Sequence, residues 1–115
     1  MQREIKFRYR IQDKTGKIIT QIYTLEEIEM GLLSKYYSLD YKILSRDQYT
    51  GLKDKNDKEI YGGDIVKHFV SYKEQIDKIH FVEDGWRVGT WEPNYLGNFE
   101  VEVIGNIYEN PELLT

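Results

Sequence analysis

The sequence predicts a mainly β fold, a small barrel or SH3-like meander with one short helix. Three observations predict it. Apolar and polar residues alternate with period two in several separate runs. Turn-forming residues punctuate those runs at short intervals, the pattern of a small barrel or sandwich. Ten of the 115 residues are Tyr, a ring residue that favours pleated, half-buried surfaces.

The elements follow in order. In "EIKFRYRI", Ile5, Phe7, Tyr9 and Ile11 fall on one face and Lys6, Arg8 and Arg10 on the other, as a half-buried strand with a basic outer face requires. "DKTGK" is a hairpin loop in which Gly16 supplies the left-handed residue, and "KIITQIYT" is the return strand. "TLEEIEMGLL" changes period. Thr24 and Glu27 have capping-box spacing, and Leu25, Ile28, Leu32 and Leu33 form an apolar stripe at helical spacing. Gly31 weakens a helix interior, so the helix is expected to be short. Residues 33 to 40 carry no pattern and read as a mobile connection.

"SLDYKIL" is strand-like and feeds "SRDQYTGL". Lys53 to Lys58 is a hydrophilic turn centred on Asn56 and Asp57, residue types that tolerate positive φ. "EIY" is a short β segment, and Gly62-Gly63 allows a sharp change of direction. "DIVKHFVSY" has apolar residues on both faces, as a central strand does. Asp84-Gly85 between "IDKIHFV" and "WRVGTW" signals another hairpin. "NFEVEVI" places Phe99, Val101 and Val103 opposite Glu100 and Glu102, and Gly105 marks a bulge. In "ENPELL", Asn110 and Pro111 suit the N-cap and first position of a last turn, with Leu113 and Leu114 pinning the tail.

Length bounds the chain to a single domain, 1–115. Hydrophobic residues are 40% and charged residues 31%, a balance that suits a globular chain rather than a disordered one. The absence of Cys excludes disulfides and thiolate metal sites and fits a reducing cytoplasm. No apolar run approaches the roughly 20 residues that span a bilayer, and the charged start is no signal peptide. The formal net charge of −4 gives no global attraction to a phosphate backbone.

The stretch "QYTGLKDKNDKEIYGGDIV" resembles the signature of the YopX family, proteins encoded by bacteriophages and prophages. The matching positions are Tyr49, Thr50, Gly51, Leu52, Asp54, Glu59, Ile60, Tyr61, Gly63, Asp64, Ile65 and Val66. Arg3-Glu4-Ile5-Lys6-Phe7-Arg8 resembles the family opening and "VEVIGNIYENPELL" its closing motif. Two turn positions depart from it: the family commonly has Asn-Gly where Asn56-Asp57 stands, and often Glu where Gly62 stands. The resemblance implies a mostly β, barrel-containing fold and a phage setting in the bacterial cytoplasm. It implies no reaction, so no catalytic residue is carried over.

Read as chemistry, the residues give few sites. Asp64, after two glycines, suits a general base or metal ligand, or a carboxylate that accepts N–H groups of its own turn; the turn role is preferred. Asp64, Val66 and His68 share a strand face, and His80 joins them if its strand pairs alongside, but no known ligand spacing is present. There is no Cys–His pair, nucleophile elbow or phosphate loop. No enzyme activity, cofactor or metal is therefore expected. Lys6, Arg8 and Arg10, with Arg3 upstream, are the candidate nucleic-acid face, with Tyr36, Tyr37, Trp86 or Trp91 as stacking rings. The alternative is a face balanced by Glu100 and Glu102. The expectation ranked first is a protein-interaction or assembly module that contacts a protein partner or itself through a strand edge or ring-rich patch.

Overall fold

The computed structural model describes residues 4–70, 72–82, 85–88 and 101–114. The chain divides into two compact units, Met1–Tyr49 and Thr50–Thr115.

In the first unit, β1 (Lys6–Asp13) lies between β2 (Ile18–Thr24) and β3 (Tyr41–Lys53), antiparallel to both. The alternation of "EIKFRYRI" is realised: Tyr9 and Ile11 are buried and Phe7 packs against them. The hairpin loop carries Gly16 at positive φ, and the Asp13 carboxylate accepts N–H bonds from Thr15 and Lys17. With the Thr15 hydroxyl donating as well, these bonds hold its pKa below the usual carboxylate value.

The single helix α1 (Leu25–Glu29) opens on the expected capping box. Thr24 Oγ1 accepts from Glu27 N, and the Glu27 carboxylate accepts from Thr24 N at 2.8 Å. Gly31 lies beyond the helix rather than inside it. Leu32 N–H donates to Glu27 O and Gly31 N–H to Ile28 O, the two bonds of a Schellman stop. The left-handed residue that this motif needs is Gly31 at φ +85°. The stop redirects the chain, so the apolar stripe is split. Leu33 enters the core with Tyr9, Ile11 and Tyr36, and Ile28 packs against it, whereas Leu25 and Leu32 are exposed. The connection over 33–40 is therefore anchored at Leu33 and Tyr36, the latter within a short 3-10 turn, Ser34–Tyr36.

In the second unit, β4 (Glu59–Tyr61) lies beside the last residues of β3. A separate antiparallel sheet has the order β7-β6-β5-β8, with β5 (Asp64–Val70), β6 (Lys73–Val82), β7 (Gly85–Val88) and β8 (Glu102–Asn106). β5 is central, as its apolar residues on both faces predict, and Ile65 and Val66 on opposite faces are fully buried. The core joins Ile60, Val66, Ile79, Val88 and Val101. The register of β5 on β8 slips between Ile65 and Val66, partners of Gly105 and Val103, so β8 bulges at Ile104 beside the expected Gly105. Val82 pairs with Gly85, so Gly85 begins β7, and Asp84 of the expected turn lies outside the described residues, as do Arg3, Trp91, Phe99 and Glu100. At the end, Asn110 stands just before the 3-10 turn Pro111–Leu114, where the sequence places it, and its C=O accepts from Leu113 N–H. Its Oδ1 accepts from Asn106 N, and only Leu113 of the final pair is partly buried.

The mainly β class with one short helix is thus observed, as two open strand orders among the described residues. No helix among them is long and apolar enough to cross a membrane.

The split of the α1 stripe has a measurable consequence. Leu33→Ala should lower stability by about 3 kcal/mol, the cost of a core cavity. Leu32→Ala should stay within about 0.5 kcal/mol, as exposed sites do. Urea unfolding of the two variants reads the difference, and equal effects would contradict the Schellman redirection.

Candidate functional site

The family-like stretch from Tyr49 to Asp64 forms the end of β3, a turn, β4 and the tight link into β5. Its polar residues act on the backbone. Asp54 is buried at the mouth of the turn. Its Oδ1 accepts from Asn56 N at 2.8 Å and Lys58 N at 2.9 Å, closing the turn, and its Oδ2 accepts from Val103 N at 2.9 Å. The Asp54 N–H donates to Lys58 O, and the Lys55 N–H to Val101 O. Burial raises the pKa of Asp54, but the three N–H donors outweigh it and hold the carboxyl below its ordinary value. Asp57, where the family pattern has Gly, adopts φ +66°, which Asp tolerates better than most residues.

Thr50 is buried. Its hydroxyl donates to Ile60 O at 2.8 Å and accepts from Leu52 N at 3.2 Å, joining the strands on either side of the turn. Gly51, between them, has φ +88°. Glu59 accepts from the Tyr61 hydroxyl. Tyr49, Ile60 and Tyr61 are buried and Leu52 packs against the second core.

Asp64 occupies the position expected of a turn carboxylate. It is fully buried, and its Oδ2 accepts from Tyr61 N at 2.8 Å across Gly62-Gly63. Gly63 has φ +85°, and its backbone is held from two sides, N–H to Ile79 O at 2.8 Å and C=O from Ile107 N at 2.9 Å. The glycine pair fixes where β5 starts relative to β6 and to the end of β8.

The metal or acid–base cluster weighed for Asp64, His68 and His80 is not formed. Ile65 pairs with Lys78 and Val66 with Asp77. Since side chains alternate along a strand, Asp64, Val66 and His68 share the face of Asp77 and Ile79, and His80 points from the other face. No group of three His, Asp or Glu able to hold a metal ion occurs among the described residues. The buried His68 instead meets Asp77, Nε2 to Oδ2, at 2.7 Å. Sequence reasoning missed Asp77, whose only signal was its distance along the hairpin.

The basic face of β1 is also rearranged by register. Arg8 lies directly opposite Asp47 on β3, and their side chains meet at 3.4 Å with both largely covered. Lys6 lies over the Tyr49 ring, 4.8 Å from its centre, and within 3.4 Å of Glu4. Arg10 is opposite Ser45 and half-buried. These cations do not stand out as a solvated stripe. Lys6 and Arg8 meet Glu4 and Asp47, and Glu102 pairs with Lys67 at 3.4 Å and Lys55 at 3.9 Å. The hydrogen bond and charge of Glu102, joined by Glu74, raise the pKa of Lys67 and keep it protonated.

Two outcomes follow from the turn. Asp54→Asn should destabilise by about 2 kcal/mol, because a buried charged acceptor of three backbone N–H groups is lost. A depressed carboxylate stabilises above its unfolded pKa, near 3.9, and that contribution disappears as pH falls through the lower folded value. Thermal melts should therefore show the gap between wild type and Asp54→Asn narrowing below about pH 4; a gap independent of pH would exclude the charge as its source. Gly63→Val should unfold or misfold the chain, and Gly63→Ala should cost about 1–2 kcal/mol, from the strain of positive φ. Full thermal stability in the Val variant would show that Gly63 is not a structural hinge.

Three comparisons bear on this arrangement. No curated protein matches the sequence. The crystal structure of protein EF1440 from Enterococcus faecalis is similar in fold, with a TM-score of 0.54 at 22% identity, over 96% of this chain and 98% of that one. The profile of the YopX protein family matches residues 4–115, which include the turn, its acidic staples and the strands they fasten. The chain belongs to the YopX family.

Proposed function

We propose that this protein is a phage- or prophage-encoded accessory protein of the bacterial cytoplasm that acts without catalysis, by contacting another protein. The observation that carries the reading is the segment after α1. Between Met30 and Tyr41 five large apolar side chains are exposed, among them Met30 at 73%, Tyr37 at 69% and Leu39 at 99%. Tyr36 anchors this segment in the core, its ring edge-on to Tyr41 at 5.0 Å. Exposed rings and aliphatic side chains held on a fixed base are what protein interfaces use. The signature carboxylates support the same reading, since Asp54 and Asp64 are engaged with backbone N–H groups. The resemblance to phage proteins supports the setting.

The test is affinity capture from infected or lysogenic host cells with wild type and with Tyr37→Ser/Leu39→Ser, a pair of surface changes that should leave stability within about 0.5 kcal/mol. A partner retained by wild type and lost by the variant is expected. The same captured set from both, or turnover of a nucleotide or other metabolite in a screen, would overturn the reading. Fluorescence anisotropy with single-stranded and duplex probes at low salt should show no salt-sensitive binding, because Lys6 and Arg8 are already covered.

A further inference from the structure

We infer that β2 is a self-association edge, on which a second copy of this chain adds its own β2 antiparallel about a two-fold axis at Thr20. The inference concerns a surface separate from the 30–41 segment and stands or falls without it.

The direction of the backbone groups comes first. Leu25 N–H donates to Ile5 O and Asp13 N–H to Lys17 O at the two ends of the β1–β2 ladder. In an antiparallel pair, residues that exchange bonds alternate with residues that do not. The register Lys6↔Thr24 to Gln12↔Ile18 therefore turns the N–H and C=O groups of Ile19, Gln21 and Tyr23 toward β1. Those of Ile18, Thr20, Ile22 and Thr24 point away from it. Among the described residues β2 has β1 as its one strand neighbour. The Thr24 N–H is taken by the Glu27 carboxylate, which leaves Ile18, Thr20 and Ile22 as a row of outward donors and acceptors.

Edges of this kind are ordinarily protected by Lys, Pro, bulges or brevity. β2 has none of these: it is seven residues, "IITQIYT", without a charge, a proline or a register shift. Its outer side chains are Ile18, Thr20 and Ile22, with Ile18 42% and Ile22 47% exposed. An uncharged strand meets its own copy without like-charge repulsion. A two-fold at Thr20 pairs Thr20 with its equivalent and Ile18 with the second copy's Ile22. Each of these pairs can exchange both backbone bonds, and none needs the occupied Thr24 N–H. The same pairing sets the exposed isoleucines side by side. It also brings the exposed Lys17 end of one strand toward the Glu26 and Glu29 end of the other, a complementarity that favours this orientation.

Sedimentation velocity and light scattering test the inference on the full chain. Wild type should dimerise at about 100 μM, the range of a modest interface. Thr20→Pro removes an outward N–H but no ladder bond, and Ile22→Lys places a charge on the edge. Both should be monomeric with a circular dichroism spectrum like that of wild type. Because the chain has no Cys, Thr20→Cys reports the register. Directly opposed residues lie about 5.5 Å apart, within disulfide reach, so mild oxidation should link two copies, while Thr15→Cys in the loop should remain unlinked. A monomeric wild type at that concentration, dimers persisting in both edge variants, or equal linking at Thr15 and Thr20 would overturn it. A dimer lost in the edge variants supports it even if affinity capture finds no partner, and a monomer that captures a partner leaves only the proposed function standing.

Discussion

The carboxylate of Asp54 is the constraint on which the second unit depends. A turn carboxylate commonly accepts N–H groups two to four residues ahead, and Asp54 does so with Asn56 and Lys58. Its second oxygen reaches Val103, 49 residues away in sequence. One side chain thus closes the loop between β3 and β4 and positions the strand segment that carries Val101 and Val103 into the core. The Lys55 N–H bond to Val101 O secures the same segment from the backbone. The low pKa of Asp54 is the electrostatic trace of this work: burial opposes the charge, and three backbone dipoles overcome it.

Asp64 repeats the device at the next turn on a smaller scale, with Tyr61 N as its acceptor's partner and Gly63 supplying the left-handed residue. Thr50 stitches the two together through Ile60 O. Buried polar groups of this kind fix a unique register because a one-residue slip would leave them unpaired in a low-dielectric interior. In this chain Thr50, Asp54 and Asp64 of the signature all hydrogen-bond to the backbone of the strands and turns around them. Asp64, the one signature carboxylate that reads as a general base or metal ligand in sequence, accepts a backbone N–H of its own turn in the fold.

The charged surfaces follow from the same pairing rule. β1 reads as a strand with one basic face, and β3 contributes Asp47 opposite Arg8 and Tyr49 beneath Lys6. On the second sheet Lys67 lies opposite Glu102 and near Glu74. On β1 local alternation put Lys6, Arg8 and Arg10 on one face, and the neighbouring strand supplied the partners of Lys6 and Arg8. Such pairs add little net stability when exposed. On β1 they leave Lys6 and Arg8 largely covered rather than standing in solvent.

What the sequence by itself determined is local. The alternation of β1, the Thr24–Glu27 capping box, the central character of β5, the bulge by Gly105 and the turn role of Asp64 all rest on interactions within a few residues, whose geometry is set by chain periodicity. The capping box was legible although the helix is only five residues long. The direction of the chain after Gly31 was not, because a glycine at that spacing reads equally as a weak interior position or as a stop, and only the 6→1 bond from Leu32 to Glu27 distinguishes them. What only the tertiary structure decided is every relation that depends on strand register: Asp77 rather than His80 beside His68, Asp47 beside Arg8, and Val103 as the third donor to Asp54. A shift of one residue exchanges the two faces of a strand. These partnerships therefore have no signature until the strands are paired.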